Sequence, residues 1–204
     1  MALIGETTSG ETPLTEQDLQ GLKLPFVKTR EQLSVVEAQN ILNGKEWALA
    51  SSTSRVPGML SVEYVQELHR RMLGDVWEWA GEIRPTQLQN AFASSVSDIR
   101  PHLSMLYQDA VEYWLKDERM PCDELAVRLH HRVVKIHPFR NGNGRHSRLL
   151  ADVLLEKHFE LRPFSWGGNA QLGNSDPNRQ SYLAALRAAD KGDYGALINL
   201  CRAG

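Results

Sequence analysis

Residues 137–148 of this 204-residue chain read His-Pro-Phe-Arg-Asn-Gly-Asn-Gly-Arg-His-Ser-Arg, and they interrupt two apolar patterns of helical spacing. Before them, Leu125, Leu129 and Val133 recur at the interval of one helix face; after them, Leu149, Leu150, Val153 and Leu154 do the same. Pro138, with Gly142 and Gly144 behind it, breaks a continuous helix. The chain must therefore build two helices joined by a tight loop. The second helix starts directly behind the glycines, so its unpaired N–H groups face whatever the loop encloses.

The residue types in the loop suit phosphate chemistry. Gly142 and Gly144 permit positive φ and close approach of the backbone to a ligand. A helix N-terminus favours an anion through its free N–H groups and its dipole. Asn143 adds a neutral side-chain donor, and Arg145 and Arg148 share one side of the helix, where both can point back at phosphate oxygens. His137, with an ordinary pKa of about 6.5, suits a general base. A base, an anion cradle and two cations are what attack of a hydroxyl on a phosphoryl group requires. No Gly-Lys-Ser/Thr closes the loop, so it is not a P-loop.

The rest of the chain reads as mainly helical. Residues 1–28 form an N-terminal arm, polar and rich in Gly and Thr over its first half, and 29–204 form a single helical domain. A helix opens near Thr29, presents Leu33, Val36, Ile41 and Leu42 as its apolar face, and ends at Asn43-Gly44. Another is capped by Ser61 and buries Val65, Leu68, Met72 and Leu73. Residues 84–99 lose the helical period and suggest a short β-hairpin flap. Helical patterns return over 101–116, behind Pro121 with Asp123 as cap, and near 179–190 and 194–200.

Hydrophobic residues make up 42% and charged residues 24%, as in an ordinary globular domain, and the formal net charge of -2 gives no basic field for nucleic acid. Cys122 and Cys201 have neither metal-site spacing nor a disulfide framework, which fits a reducing, cytoplasmic setting. No apolar run approaches the roughly 18 residues of a membrane span.

The loop resembles the Fic family pattern His-x-Phe-x-Asp/Glu-Gly-Asn-Gly/Lys-Arg-x-x-Arg, matched at His137, Phe139, Gly142, Asn143, Gly144, Arg145 and Arg148. Leu68-His69 and Trp79-Ala80-Gly81 also look like that family's segment before the flap, and the likeness runs over roughly residues 30–200. The run Asn-Gly-Asn-Gly-Arg-His looks most like the branch called mobile mystery protein B, which implies a neighbouring helix-turn-helix antitoxin-like partner and a toxin–antitoxin role. The resemblance implies protein adenylylation: His137 takes the proton of a target Ser, Thr or Tyr, and the oxygen attacks the α-phosphorus of ATP. It further implies that Gly142, Asn143 and Gly144 hold the α- and β-phosphates, and that Arg145 neutralises the leaving pyrophosphate. Arg148 would meet the γ-phosphate or an inhibitory glutamate, and the flap near 84–99 would hold the target as an added strand.

One position departs from the pattern. Asn141 stands where the family has an Asp or Glu that helps ligate Mg²⁺ (or Mn²⁺), which prefers carboxylates. Other readings stay open for that reason: a different donor (UMP or phosphate), removal of AMP, or a noncatalytic partner-binding module. Glu37 lies on an N-terminal helix, where an inhibitory glutamate would stand. But Leu33 and Ala38 replace the family's flanking Ser/Thr and Gly/Asn, and a solvated helix glutamate is the plainer reading. His146 is expected to be solvated or a supporting donor, and His130 to pack near the loop.

Overall fold

The computed structural model describes residues 14–88, 93–167 and 178–203. Its elements follow from local signals. Helix α1 (Glu16–Gln20) opens on a capping box in which Thr15 and Asp18 satisfy each other's backbone N–H. Helix α2 (Arg30–Ala50) opens on a second box between Thr29 and Gln32, and α3 (Val62–Leu73) on the hydroxyl of Ser61. Helix α4 (Ile99–Asp109) runs into a π-helical turn at Ala110–Trp114. Then come α5 (Cys122–Ile136) and α6 (Asn143–Lys157), the pair that flanks the loop, and α7 (Asn178–Ala189) and α8 (Gly195–Arg202).

Two helix pairs make the body: α2 lies on α3, and α5 lies on α6, with α6 also touching α2 and α3. Val65, Leu68 and Met72 of α3, Leu129 and Val133 of α5 and Leu150 and Leu154 of α6 share one core and are all fully buried. Helix α4 covers α5 on one side, and the α7–α8 pair closes the other through α8. Among the described residues no helix is long and apolar enough to cross a membrane.

Three expectations change. Helix α2 does not stop at Asn43-Gly44: it continues to Ala50, because Gly44 faces α3, where a Cβ would stand 2.9 Å from the Met72 backbone. That glycine serves close helix approach rather than termination. Leu42 lies outside the apolar face and is 55% exposed. Asp123 does not cap α5; its carboxylate pairs with Arg202 of α8, at 2.5 Å to Nη2 and 2.8 Å to Nε. From Leu14 onward the arm packs on the domain: Trp79 Nε1–H donates to the Asp18 carbonyl and Leu22 bridges Trp77.

The described residues of the flap contain no strand, and 89–92 lie outside the described residues. Arg84 replaces the expected hairpin ladder. Its buried guanidinium donates to the carbonyls of Thr86 (2.8 Å) and Ser94, tying both sides of the flap through one side chain.

Candidate active site

The geometry of the loop starts at the end of α5. His137 adopts φ 54, ψ 60, a left-handed conformation uncommon outside glycine, and so turns the chain out of the helix. Two bonds from Arg84 hold it there: Arg84 Nε–H donates to the His137 carbonyl (2.8 Å) and Arg84 N–H to that of Pro138 (2.9 Å). The imidazole is half-buried, and its Nδ1 lies 3.2 Å from the Val134 carbonyl. A carbonyl only accepts, so Nδ1 carries the hydrogen and Nε2 the lone pair. Burial, with Arg84 nearby, lowers the His137 pKa to about 4. The ring is therefore neutral at physiological pH, as a base must be, but a weaker base than its ordinary pKa implies.

Beyond Pro138 the loop is clamped on itself. Asn143 accepts from Phe139 N–H at Oδ1 (2.9 Å) and donates from Nδ2 to the Phe139 carbonyl (2.8 Å). Its side chain is 2% exposed. Oδ1 and one N–H of Nδ2 are thus engaged in shaping the loop. Phe139 is fully buried and forms an isolated bridge with Ile83.

The two glycines differ. Gly142 caps α6 at φ 76, and a Cβ there would meet Leu73 Cδ1 at 2.7 Å. Gly144 is helical, and among the described residues a Cβ there would meet nothing within 4 Å. In this loop positive φ is needed at Gly142, while the described residues leave space at Gly144 beside the first turn of α6, where a helix has free N–H groups.

The motif arginines reach different neighbours. Arg145 Nη1 pairs with Glu37 Oε2 of α2 at 2.6 Å, and its Nη2 donates to Asn141 Oδ1 at 3.3 Å. Glu37 is 7% exposed, and its other oxygen accepts from Trp77 Nε1–H at 2.7 Å. The solvated reading of Glu37 is overturned, because the α2–α3 packing turns it inward onto a cation and an indole. Arg148 is 6% exposed, with its guanidinium 6.0 Å over the Trp166 ring. The inward glutamate thus meets the first motif arginine, not the second.

Three further charged or polar residues frame the loop. Arg140 Nη1 pairs with Asp18 Oδ1 of α1 at 3.0 Å. Burial alone would raise the Asp18 pKa, but bonds from Thr15 and Arg140 hold it below the ordinary carboxylate value. His146 is fully buried rather than solvated, and its Nε2 lies 3.0 Å from the Val65 carbonyl. His130 packs against Trp166 and lies 2.9 Å from Tyr182 Oη. Arg84, Asp18 and Trp77 carried no functional signal in the sequence, because their partners lie far away along the chain.

Asn141 stands where the resemblance implies a metal ligand. Asn141 Oδ1 accepts from Gly142 N–H at 2.6 Å and from Arg145, so its oxygen is already used beside a cation. Among the described residues no group of three or more His, Cys, Asp or Glu could share a metal ion. These donors do not fit a protein-held Mg²⁺.

Comparison with known proteins agrees with this geometry. Residues 59–155, which contain α3, the flap, α5 and most of α6, match the Fic/DOC family. That stretch belongs to the Fic/DOC family. The chain is 28% identical over 97% of its length to protein adenylyltransferase fic-1 of Caenorhabditis elegans, and 30% identical over 88% to protein adenylyltransferase Fic of Drosophila grimshawi. It spans 37% and 38% of those two relatives. The solved Fic-1 of C. elegans superposes with a TM-score of 0.63 at 28% identity, over 88% of this chain and 50% of that one. The BepC protein of Bartonella tribocorum, solved with bound AMPPNP, shares the Fic fold at 16% identity (TM-score 0.63; 86% of this chain, 87% of that one).

Proposed function

We propose that this Fic domain transfers AMP from ATP to a Ser, Thr or Tyr hydroxyl of a target protein. One observation carries the reading most directly: a neutral His137, with its lone pair on Nε2, stands at one end of a loop whose other end is the N-terminus of α6. The names of the relatives, protein adenylyltransferases, support it.

In this mechanism Nε2 of His137 takes the proton of the target hydroxyl as its oxygen attacks the α-phosphorus. The bond from that phosphorus to the bridging oxygen breaks, and pyrophosphate leaves with the electron pair. Backbone N–H groups around Gly142, Asn143 and Gly144 receive the phosphate oxygens, and Arg145 neutralises the leaving charge. Arg148 reaches the distal phosphate or steadies the Trp166 wall. Asn141 offers no charge to hold magnesium, so the ATP phosphates would have to supply the ligands for any such ion. The target lies in the groove of about 530 Å³ beside the flap, whose lining includes Gln66, Glu82, Ile83, Val96 and Arg100.

Glu37 acts as an internal inhibitor in this scheme. Its carboxylate occupies Arg145 and places a negative charge where the phosphates would bind, so ATP must displace it. Incubation with α-labelled ATP and lysate, beside His137→Ala, tests the proposal. Label on protein that vanishes in the variant supports AMP transfer, whereas ATP binding without label in wild type or in Glu37→Gly refutes it.

A further inference from the structure

One buried histidine has no part in the scheme so far. His69 of α3 is fully buried, and both its ring nitrogens are engaged. The Gly81 N–H donates to Nδ1 at 2.9 Å. On the other side Nε2 lies 3.0 Å from the Asn141 carbonyl. An amide N–H only donates and a carbonyl only accepts, so one state satisfies both: the neutral ring with its hydrogen on Nε2. A proton on Nδ1 would set two donors against each other. Burial, and then the neighbouring His146, keep the ring from charging.

The two partners belong to the two halves of the site. Asn141 carbonyl and Gly142 N–H are the ends of one peptide unit. His69 holds the carbonyl inward, and the Asn141 side chain holds the N–H. That plane sets the direction of the next N–H groups, those that open α6. Gly81 starts the segment that runs through Ile83, which bridges Phe139, to Arg84, which holds the His137 carbonyl. The ring itself lies flat on Phe139, with centroids 3.8 Å apart and planes at 18°. A Cβ at Gly142 would stand 3.4 Å from Nε2, so the turn is packed directly on the imidazole.

We propose that His69 is a positioning residue: its Nε2–H, by holding the Asn141 peptide, sets the phosphate-binding turn in register with His137, while Nδ1 anchors the ring to Gly81. Its effect on transfer rests on the AMP-transfer reading. Its effect on the loop does not. Misplacing reacting groups by about 1 Å costs on the order of 100-fold in rate, while a charged nucleotide still finds Arg145 and the helix N-terminus.

Two substitutions separate the bonds. Gln at this position places an amide nitrogen near Nε2 and keeps a donor for Asn141. Asn places its oxygen near Nδ1 and keeps only the acceptor for Gly81. We expect both variants to lose similar thermal stability. His69→Gln should keep kcat within about 5-fold, whereas His69→Asn should lower it about 100-fold with the KM for ATP within about 3-fold. Equal kcat losses in the two, or a loss matched by the unfolded fraction, would overturn the proposal. If wild type and Glu37→Gly label nothing, the AMP-transfer reading falls alone, and amide hydrogen exchange decides for His69. Faster exchange around Gly142 in His69→Asn but not in His69→Gln supports it; the same pattern in both refutes it.

Discussion

Glu37 and Arg145 are 108 residues apart in sequence, yet their charged atoms lie 2.6 Å apart, and Trp77 holds the second carboxylate oxygen. The pair spends the site's forward cation on an internal partner. Removing the carboxylate should therefore release it. Glu37→Gly should raise ATP affinity and protein labelling about 10-fold or more, as expected when about 1.4 kcal/mol of competition is removed. It should also cost roughly 1–3 kcal/mol of stability, because the Trp77 N–H loses its acceptor. Isothermal titration and labelling check the first, and denaturant unfolding the second.

Acid should act on stability before it acts on the base. The pKa values of His137 and His146 fall to about 4 in the fold, below the ordinary 6.5, through burial. Between those values the unfolded chain binds more protons than the folded one. Folding stability is therefore full above about pH 6.5 and is lost as pH falls toward 4. Chemical unfolding followed from pH 7.5 to 4.5 should show this decline. Labelling per folded molecule should stay flat over the same range, and an acid limb near 6.5 would contradict the state assigned to His137.

At Asn141 the absence of charge predicts weak metal dependence in the protein itself. Chelation should change ATP affinity by less than about 3-fold in the wild-type chain, whereas Asn141→Asp should make binding and labelling respond to Mg²⁺. Titrations with and without chelator distinguish the two.

Asn143 should behave as a structural clamp. Asn143→Ala removes two bonds inside the loop and leaves Phe139 N–H and its carbonyl unmatched. A cost of about 2–3 kcal/mol, or roughly 4–12 °C in Tm for a chain of this size, is expected by differential scanning calorimetry. Asn143→Asp should be little better, since a carboxylate would face the Phe139 carbonyl.

Much of the fold was legible because helix faces repeat. Val65, Leu68 and Met72 announce α3, and Thr29 with Gln32 announces the start of α2. Asn43-Gly44 misled because a helix end and a close helix crossing use the same residues, and only Met72, far along the chain, distinguishes them. The flap misled because a buried arginine, not a backbone ladder, ties its sides. In the site, His137 and Gly142 could be read from local chemistry. Asn143 could not, because a polar side chain among glycines looks the same whether it meets a ligand or its own backbone. The pairing of Glu37 and the role of His69 were obscured for a simpler reason: one polar residue among many on a helix gives no sign of its distant partner.

The ion pair between Arg140 and Asp18 bears on where this domain begins. The stretch that matches the family starts at residue 59, yet Asp18 and Glu37, which neutralise Arg140 and Arg145, both lie upstream of it. A fragment trimmed to the recognisable stretch would keep the reacting loop and lose both counter-charges. Its loop would carry a surplus of positive charge and attract polyanions of many kinds, from nucleotides to nucleic acids, at low salt. Binding measured on such a fragment would report that surplus rather than the selectivity of the intact chain.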